Sequence, residues 1–257
     1  MTEYIIIGLV ALLGSCLTFF SGFGLGTILV PVFALFFPID IAIALTAIVH
    51  FLNNLFKLFL VGNRFDKETV LRFGIPSLLA SFAGAFLLSF ISRVNPLFTY
   101  TFNEHIFLIT PVKLIIGCIL IFFALFDLVP RLTSLEFDKK YLIAGGLLSG
   151  FFGGLSGNQG ALRSAFLVKA GLSKETFIAT GVVIAVMVDV SRLVIYSEKV
   201  IGNSELNYSL IVCATICAFT GAYFGNKLIK KITVKSLQYI VGLALIVFGI
   251  FLCLGWL

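Results

Sequence analysis

The chain has 257 residues, 60% of them hydrophobic and 12% charged, with a formal net charge of +6. Its mean hydropathy of +1.14 is more apolar than a soluble core diluted by a polar shell, which excludes an ordinary soluble domain. The positive charge does not point to nucleic acid, because basic loops on such a chain chiefly set its orientation in a bilayer.

Apolar runs of roughly 17–25 residues recur along the whole length, each able to cross about 30 Å of hydrocarbon. The N-terminus carries Glu3 and no Lys or Arg before its first apolar run, which reads against a cleaved signal peptide. Segments are predicted over 4–20, 27–37, 39–61, 70–92 and 106–129, then over 141–155, 161–172, 175–196, 208–229 and 235–257. The stretch Ser21, Gly22, Phe23, Gly24, Leu25, Gly26 breaks the first run, and a short arm starts at Thr27. In the second half Ser156, Gly157, Asn158, Gln159 and Gly160 make a similar break, and an arm starting at Ala161 carries Arg163.

The two breaks belong to a longer internal repeat. Phe82 to Leu87 matches Phe219 to Phe224, Gly117 to Phe126 matches Gly242 to Phe251, and Ala44 to Thr46 falls opposite Ile178 to Thr180. The expected fold is an all-α polytopic membrane protein of two repeats, 1–130 and 141–257, joined by a linker at 131–140. Each repeat would hold a Gly-broken helical hairpin plus three transmembrane helices, giving eight full-length spans or ten counting hairpin arms.

Charge sets the sidedness. Most of the 18 Lys and Arg fall in four connections, around Arg64 to Arg72, Arg131 to Lys140, Lys169 to Lys174 and Lys227 to Lys235. The positive-inside rule puts all four in the cytoplasm. They share one side only if 141–172 enters the bilayer and returns to the same face. The repeats are then inverted, and both termini lie outside.

A broken helix in hydrocarbon frees backbone groups that cost several kcal/mol each unless protein or a wet cavity satisfies them. Half-helix N-termini hold anions through free N–H groups and partial positive charge. Paired glycine breaks in two corresponding halves point to a transporter's substrate site. The expected substrate-binding residues are Ser21, Gly22, Gly24, Gly26, Thr27, Ser156, Gly157, Asn158, Gln159, Gly160 and Arg163. Close helix packing through glycine is the plainer reading of the same residues. Arg163, six residues before Lys169, is too deep for easy reach to water. Its planar charged fork suits a sulfonate, sulfite or related oxyanion.

Pathway or coupling residues are expected at Thr46, His50, Asn54 and Lys57 in segment 39–61, and at Thr180, Asp189 and Arg192 in segment 175–196. Lys57 and Arg192 lie four or five residues from their predicted helix ends, so snorkelling explains them as well as function does. Asp189 and Arg192 are one turn apart and are expected to pair. A sharper reading has Asp189 or His50 take up a proton during a transport cycle.

The glycine run Gly22, Gly24, Gly26 followed by Pro31, the Ala44-Leu45-Thr46 stretch, Gly154-Leu155-Ser156-Gly157, Ala179-Thr180-Gly181, Gly221 to Gly225 and Lys230-Lys231 resemble the sulfite exporter TauE/SafE family over nearly the whole chain. The resemblance implies outward transport of small, often sulfur-containing anions such as sulfite, sulfonates or sulfoacetate across a bacterial inner membrane, with no cofactor. This chain departs from the pattern at Phe23 and Leu25, which space the glycines. Asn158 to Arg163 stands where many members continue with glycine and a proline. That second departure bears on the substrate more than on the fold.

Other functions fit less well. A membrane-embedded enzyme needs clustered acids or histidines, and the acids here are scattered over loops on both sides. Two histidines are too few for a His-built zinc site, and five cysteines inside apolar runs read as packing residues. The alternatives kept are a non-transporting membrane partner or assembly protein, with a dry centre and a fully paired Arg163, and a permease for a different small organic anion. The lipid bilayer and a small anion are the expected partners; homo-oligomerisation and proton coupling are left open.

Overall fold

Hydrocarbon offers backbone groups no partner, so long apolar runs close their hydrogen bonds within themselves as helices. The computed structural model describes residues 1–21, 24–62, 64–133, 135–200, 207–227 and 234–257. Its first half contains α1 (Thr2–Ser21), α2 (Leu25–Ala34), α3 (Ile39–Val61), the single turn α4 (Lys67–Thr69), a π-helical turn (Val70–Gly74), α5 (Ile75–Ile91), strands β1 (Phe98–Phe102) and β2 (His105–Ile109), α6 (Pro111–Leu128) and α7 (Pro130–Thr133). A 3₁₀ turn (Lys139–Tyr141) leads into α8 (Leu142–Ser156) and α9 (Gly160–Leu167), which ends in a second 3₁₀ turn (Val168–Ala170). Then come α10 (Lys174–Val200), α11 (Tyr208–Lys227) and α12 (Val234–Cys253). Among the described residues five stretches are long and apolar enough to cross a membrane: Thr2–Phe19, Ile39–Val61, Lys67–Ile91, Lys174–Ser197 and Tyr208–Lys227. Large apolar side chains such as Phe59, Phe86, Phe90, Ile240 and Leu243 are exposed on the outer faces of the bundle, where lipid would cover them.

Several boundaries differ from the sequence reading. The predicted segment 106–129 is divided: its first residues form β2, and the helix starts at Pro111 behind Thr110, whose hydroxyl accepts a hydrogen bond from the Lys113 amide at 3.3 Å. Proline lacks an N–H, so the first helical position suits it. β1 and β2 form an antiparallel hairpin around Asn103 and Glu104, both at positive φ, the geometry of a two-residue turn that matches strand twist. The Tyr100 hydroxyl donates to the Leu254 carbonyl at 2.7 Å and accepts from the Trp256 indole at 2.9 Å, tying the hairpin to the end of the chain. The π turn precedes Pro76, which cannot donate to the Arg72 carbonyl; the Ile75 amide reaches Val70 instead, widening the ladder where a bond is missing.

The helices interlock across the two halves. α1 packs on α11, α8 on α5, α6 on α12 and α3 on α10. Glycine makes the first two crossings close: a methyl group on Gly154 would fall inside contact distance of the Ser81 carbonyl, and one on Gly221 inside that of the Leu12 carbonyl. Gly154→Ala is therefore expected to destabilise the bundle by about 1–3 kcal/mol. A lowered thermal unfolding midpoint of the detergent-solubilised protein is the check; an unchanged midpoint would contradict the packing.

Contacts between loops group the connections by side. On one side the Asp66 amide donates to the Thr180 hydroxyl at 2.9 Å and Lys169 lies 3.8 Å from Glu136. On the other, Tyr4 bonds Asn207 at 2.9 Å and Lys113 reaches the Gly255 carbonyl at 3.3 Å. The Asp66 carboxylate caps α4, accepting from the Thr69 amide at 2.7 Å. Hydrogen bonds from Thr69 hold this carboxyl below its ordinary value. A depressed carboxyl stabilises the fold above its unfolded-state value and loses that contribution as pH falls through the folded one. Asp66→Ala is expected to cost about 0.5–2 kcal/mol at neutral pH, with the gap from wild type closing in acid. Unfolding midpoints across a pH series would reveal this.

Candidate functional site

His50 is the central residue of α3, and Asp189 and Arg192 lie on the helix packed against it, α10. The His50 Nδ1 is 2.6 Å from one Asp189 oxygen, which also accepts from the Asn54 side-chain amide at 3.2 Å. Arg192 donates to the other Asp189 oxygen at 3.0 Å and to the Ile43 carbonyl at 3.2 Å. One carboxylate thus ties the two halves together at the middle of α3, and both Asp189 and Arg192 are fully buried.

The two chain breaks meet beside this knot. Gly157 ends α8 at φ +81, a left-handed turn that glycine adopts without strain. A methyl group on Gly26 would lie 3.2 Å from the Gly157 carbonyl, and one on Gly157 would lie 3.0 Å from an Arg192 nitrogen. The Ser156 hydroxyl donates to the Phe152 carbonyl at 3.0 Å and accepts from the Asn158 amide at 3.3 Å, while the Ser149 hydroxyl holds the Gln159 carbonyl at 3.2 Å. The second arms begin at Leu25 and Gly160, one or two residues earlier than the predicted Thr27 and Ala161, because neither start needs a side-chain cap. The Thr27 amide already donates back to Gly24, at 3.2 Å.

Between the knot and the basic loops lies a cavity of about 40 Å³, room on the order of three waters. Gly24, His50, Asn54, Lys57, Arg163 and Ser164 form its polar wall, with Phe19 and Phe177 on the apolar side. A larger recess of about 370 Å³, rimmed by Arg64 and Glu175, shares Phe19 and Ile178 with it. Arg163 is buried, and its Nη1 has no hydrogen-bond partner. The hydroxyls of Thr18 and Ser164, the side-chain amide groups of Asn158 and Gln159, and the Thr46 hydroxyl are likewise buried without one. Each such group costs about 1–3 kcal/mol if it stays unpaired.

The structure corrects the snorkelling expectation for Lys57 and Arg192. Both are buried. α10 runs on to Val200, so Arg192 is further from a helix end than the sequence indicated. Lys57 shares the inward face of His50 and Asn54, and its ammonium lies 5.5 Å above the Phe19 ring, a cation–π contact that holds it off the lipid side.

Of the residues expected from sequence, Gly24, His50, Asn54, Lys57 and Arg163 line the cavity, and Asp189 and Arg192 stand directly behind it. Gly26, Gly157, Ser156, Asn158, Gln159 and Gly160 build the meeting of the breaks rather than the cavity wall. Thr46 is buried beside Gly26, and Thr180 bonds the Asp66 amide on the basic side. Gly22 and the Ser21 side chain lie outside the described residues, as do Lys230 and Lys231. Thr18, Ser164 and Gly181 were missed. Gly181 is in the wall because a methyl group there would stand 3.5 Å from the Arg163 Nε. Among the described residues no group of three or more His, Cys, Asp or Glu is placed to hold a metal ion.

These features define a multi-pass helical membrane protein with a small cationic cavity at the junction of two broken helices. A model of the sulfite exporter TauE/SafE family matches residues 7–252, and the chain belongs to that family. At family level it is a membrane transporter of the sulfite or related-anion type, not an enzyme. A search of curated proteins returns no match.

Proposed function

We propose that the protein is a secondary carrier that exports a small sulfur-containing anion, of the sulfite, sulfonate or sulfoacetate class, across the cell's inner membrane. The observation that carries this reading is the pair Lys57 and Arg163. Both are buried, both face one small cavity, and among the described residues no acid forms an ion pair with either. Cations at bilayer depth cost about 2.5–3.5 kcal/mol on the insertion scale, and a bound oxyanion offsets that cost through charge-assisted hydrogen bonds.

Transport runs by alternating access between two inverted repeats, 1–130 and 141–257. The helix pairings support the repeat: exchanging the halves turns the α1–α11 contact into α8–α5 and returns α6–α12 and α3–α10 to themselves. The recess rimmed by Arg64 lies beside the basic connections, so the positive-inside rule makes it the cytoplasmic mouth. The 131–140 linker is then cytoplasmic and both termini are outside. A non-transporting partner protein predicts a fully paired Arg163, and its free Nη1 counts against that alternative.

Uptake and efflux of labelled sulfite, sulfoacetate and sulfate in reconstituted vesicles test the reading. At least one sulfur anion is expected to move well above its rate in empty vesicles. If none does while another small organic anion does, the substrate class changes; if nothing moves, the carrier assignment fails.

A further inference from the structure

We infer that the carrier takes up one proton with each anion, at the Nε2 of His50. The inference rests on the carrier reading above and adds the co-bound ion to it.

The geometry fixes which nitrogen can accept a proton. Asp189 is paired with Arg192 and is therefore ionised, so it can only accept; the 2.6 Å contact requires the proton on Nδ1 of His50. In the neutral ring Nε2 is then an acceptor. It faces Gly24, where a methyl group would stand only 3.4 Å away, and both residues belong to the cavity wall. The Asn54 amide nitrogen lies 3.1 Å from Nδ1 and 3.3 Å from Nε2. One of its two N–H groups serves the Asp189 oxygen and the other can serve only Nε2, since Nδ1 carries a proton; a proton arriving at Nε2 displaces that second N–H.

A lone pair on the cavity wall repels an anion, whereas an N–H there donates to it. The anion and the proton therefore favour each other's binding, with reciprocal linkage. The proton comes from water and leaves with the anion, while the Nδ1–H bond to Asp189 persists through both states. Other charged groups surround the ring, and Lys57, a buried lysine on the same wall, can exchange a proton too. Asp189 and Arg192 come from α10, Arg163 from α9, and Lys57 lies two turns along α3 itself. Against α3 lie Ser15, Thr18 and Phe19 from α1, Gly24 and Gly26 from α2, and Phe219 from α11, none of which has an ionisable side chain.

The test is calorimetric titration of the detergent-solubilised full chain with methanesulfonate and with sulfate, neither of which changes protonation near neutral pH. Repeating it in buffers of different ionisation enthalpy counts protons. On the alkaline limb of a pH series, affinity is expected to fall about tenfold per pH unit, with about one proton taken up per anion. His50→Gln keeps a donor for Asp189 but cannot titrate, so it is expected to bind with affinity independent of pH and no proton uptake. Wild-type affinity flat with pH, or proton uptake that survives His50→Gln, would overturn the linkage while leaving the carrier reading intact. No binding of either anion at any pH overturns the linkage for these anions and counts against the sulfonate class, whereas vesicle flux decides the carrier reading. If His50→Gln fails to fold, the proton count of Lys57→Arg decides, because arginine keeps the charge and does not titrate: uptake that persists there keeps the assignment to His50, and uptake that vanishes overturns it.

Discussion

Arg163→Met is expected to leave the fold intact and all but stop anion movement. The side chains are similar in length, so the packing survives. A buried guanidinium with an unpaired Nη1 contributes little to stability, and replacing buried charge by apolar volume is often neutral or stabilising. The loss should fall on the bound anion instead. Truncating one side of a buried charged contact costs about 2–5 kcal/mol, or ~30- to several-thousandfold in affinity. Arg163→Lys keeps the charge but not the planar fork, and is expected to fall between. Flux and thermal midpoint measured on the same preparations separate the cases. A normal flux in Arg163→Met removes it from the site, while a collapsed midpoint assigns it a structural role.

The second large effect runs the opposite way. Asp189→Asn is expected to destabilise the protein by about 3–5 kcal/mol, because it leaves the fully buried Arg192 without its carboxylate. Lys57 and Arg163 then add to an unopposed cluster of positive charge. Adding Arg192→Met should return most of the loss, since the pair is removed together. Thermal unfolding of the two single variants and the double variant completes the cycle. If Asp189→Asn alone unfolds like wild type, the knot between α3 and α10 is not what holds these helices.

Long helices were legible because their apolar runs are unbroken; segment 39–61 coincides with α3. The charged members of the candidate site were legible for the same reason, as Lys57, Arg163, Asp189 and Arg192 stand out in apolar surroundings. Their partners were not: the His50–Asp189 contact joins residues 139 apart, a relation no local pattern carries. Depth was misread where rotation decided it, since Lys57 lies near a helix end yet turns inward over Phe19. The hairpin at 98–109 does alternate in its first strand, Phe-Thr-Tyr-Thr-Phe, but Asn103 and Glu104 lack the glycine that usually marks such a turn. Thr18 and Ser164 gave no signal, because a hydroxyl in an apolar helix more often bonds its own backbone.

The cross-packing of the halves has a consequence for how the protein is made. α1 ends at Ser21, and its neighbour α11 begins at Tyr208. At ~5–20 residues per second, the ribosome needs roughly 10–40 s between them. Throughout that interval the surface of α1 around Leu12 and Cys16 that later receives Gly221 and Gly225 meets only lipid or an insertion factor. α5 waits for a much shorter stretch before α8 emerges. Neither half can complete itself from its own sequence, so a nascent chain stalled before α11 should be handled as incomplete by the cell's membrane quality control.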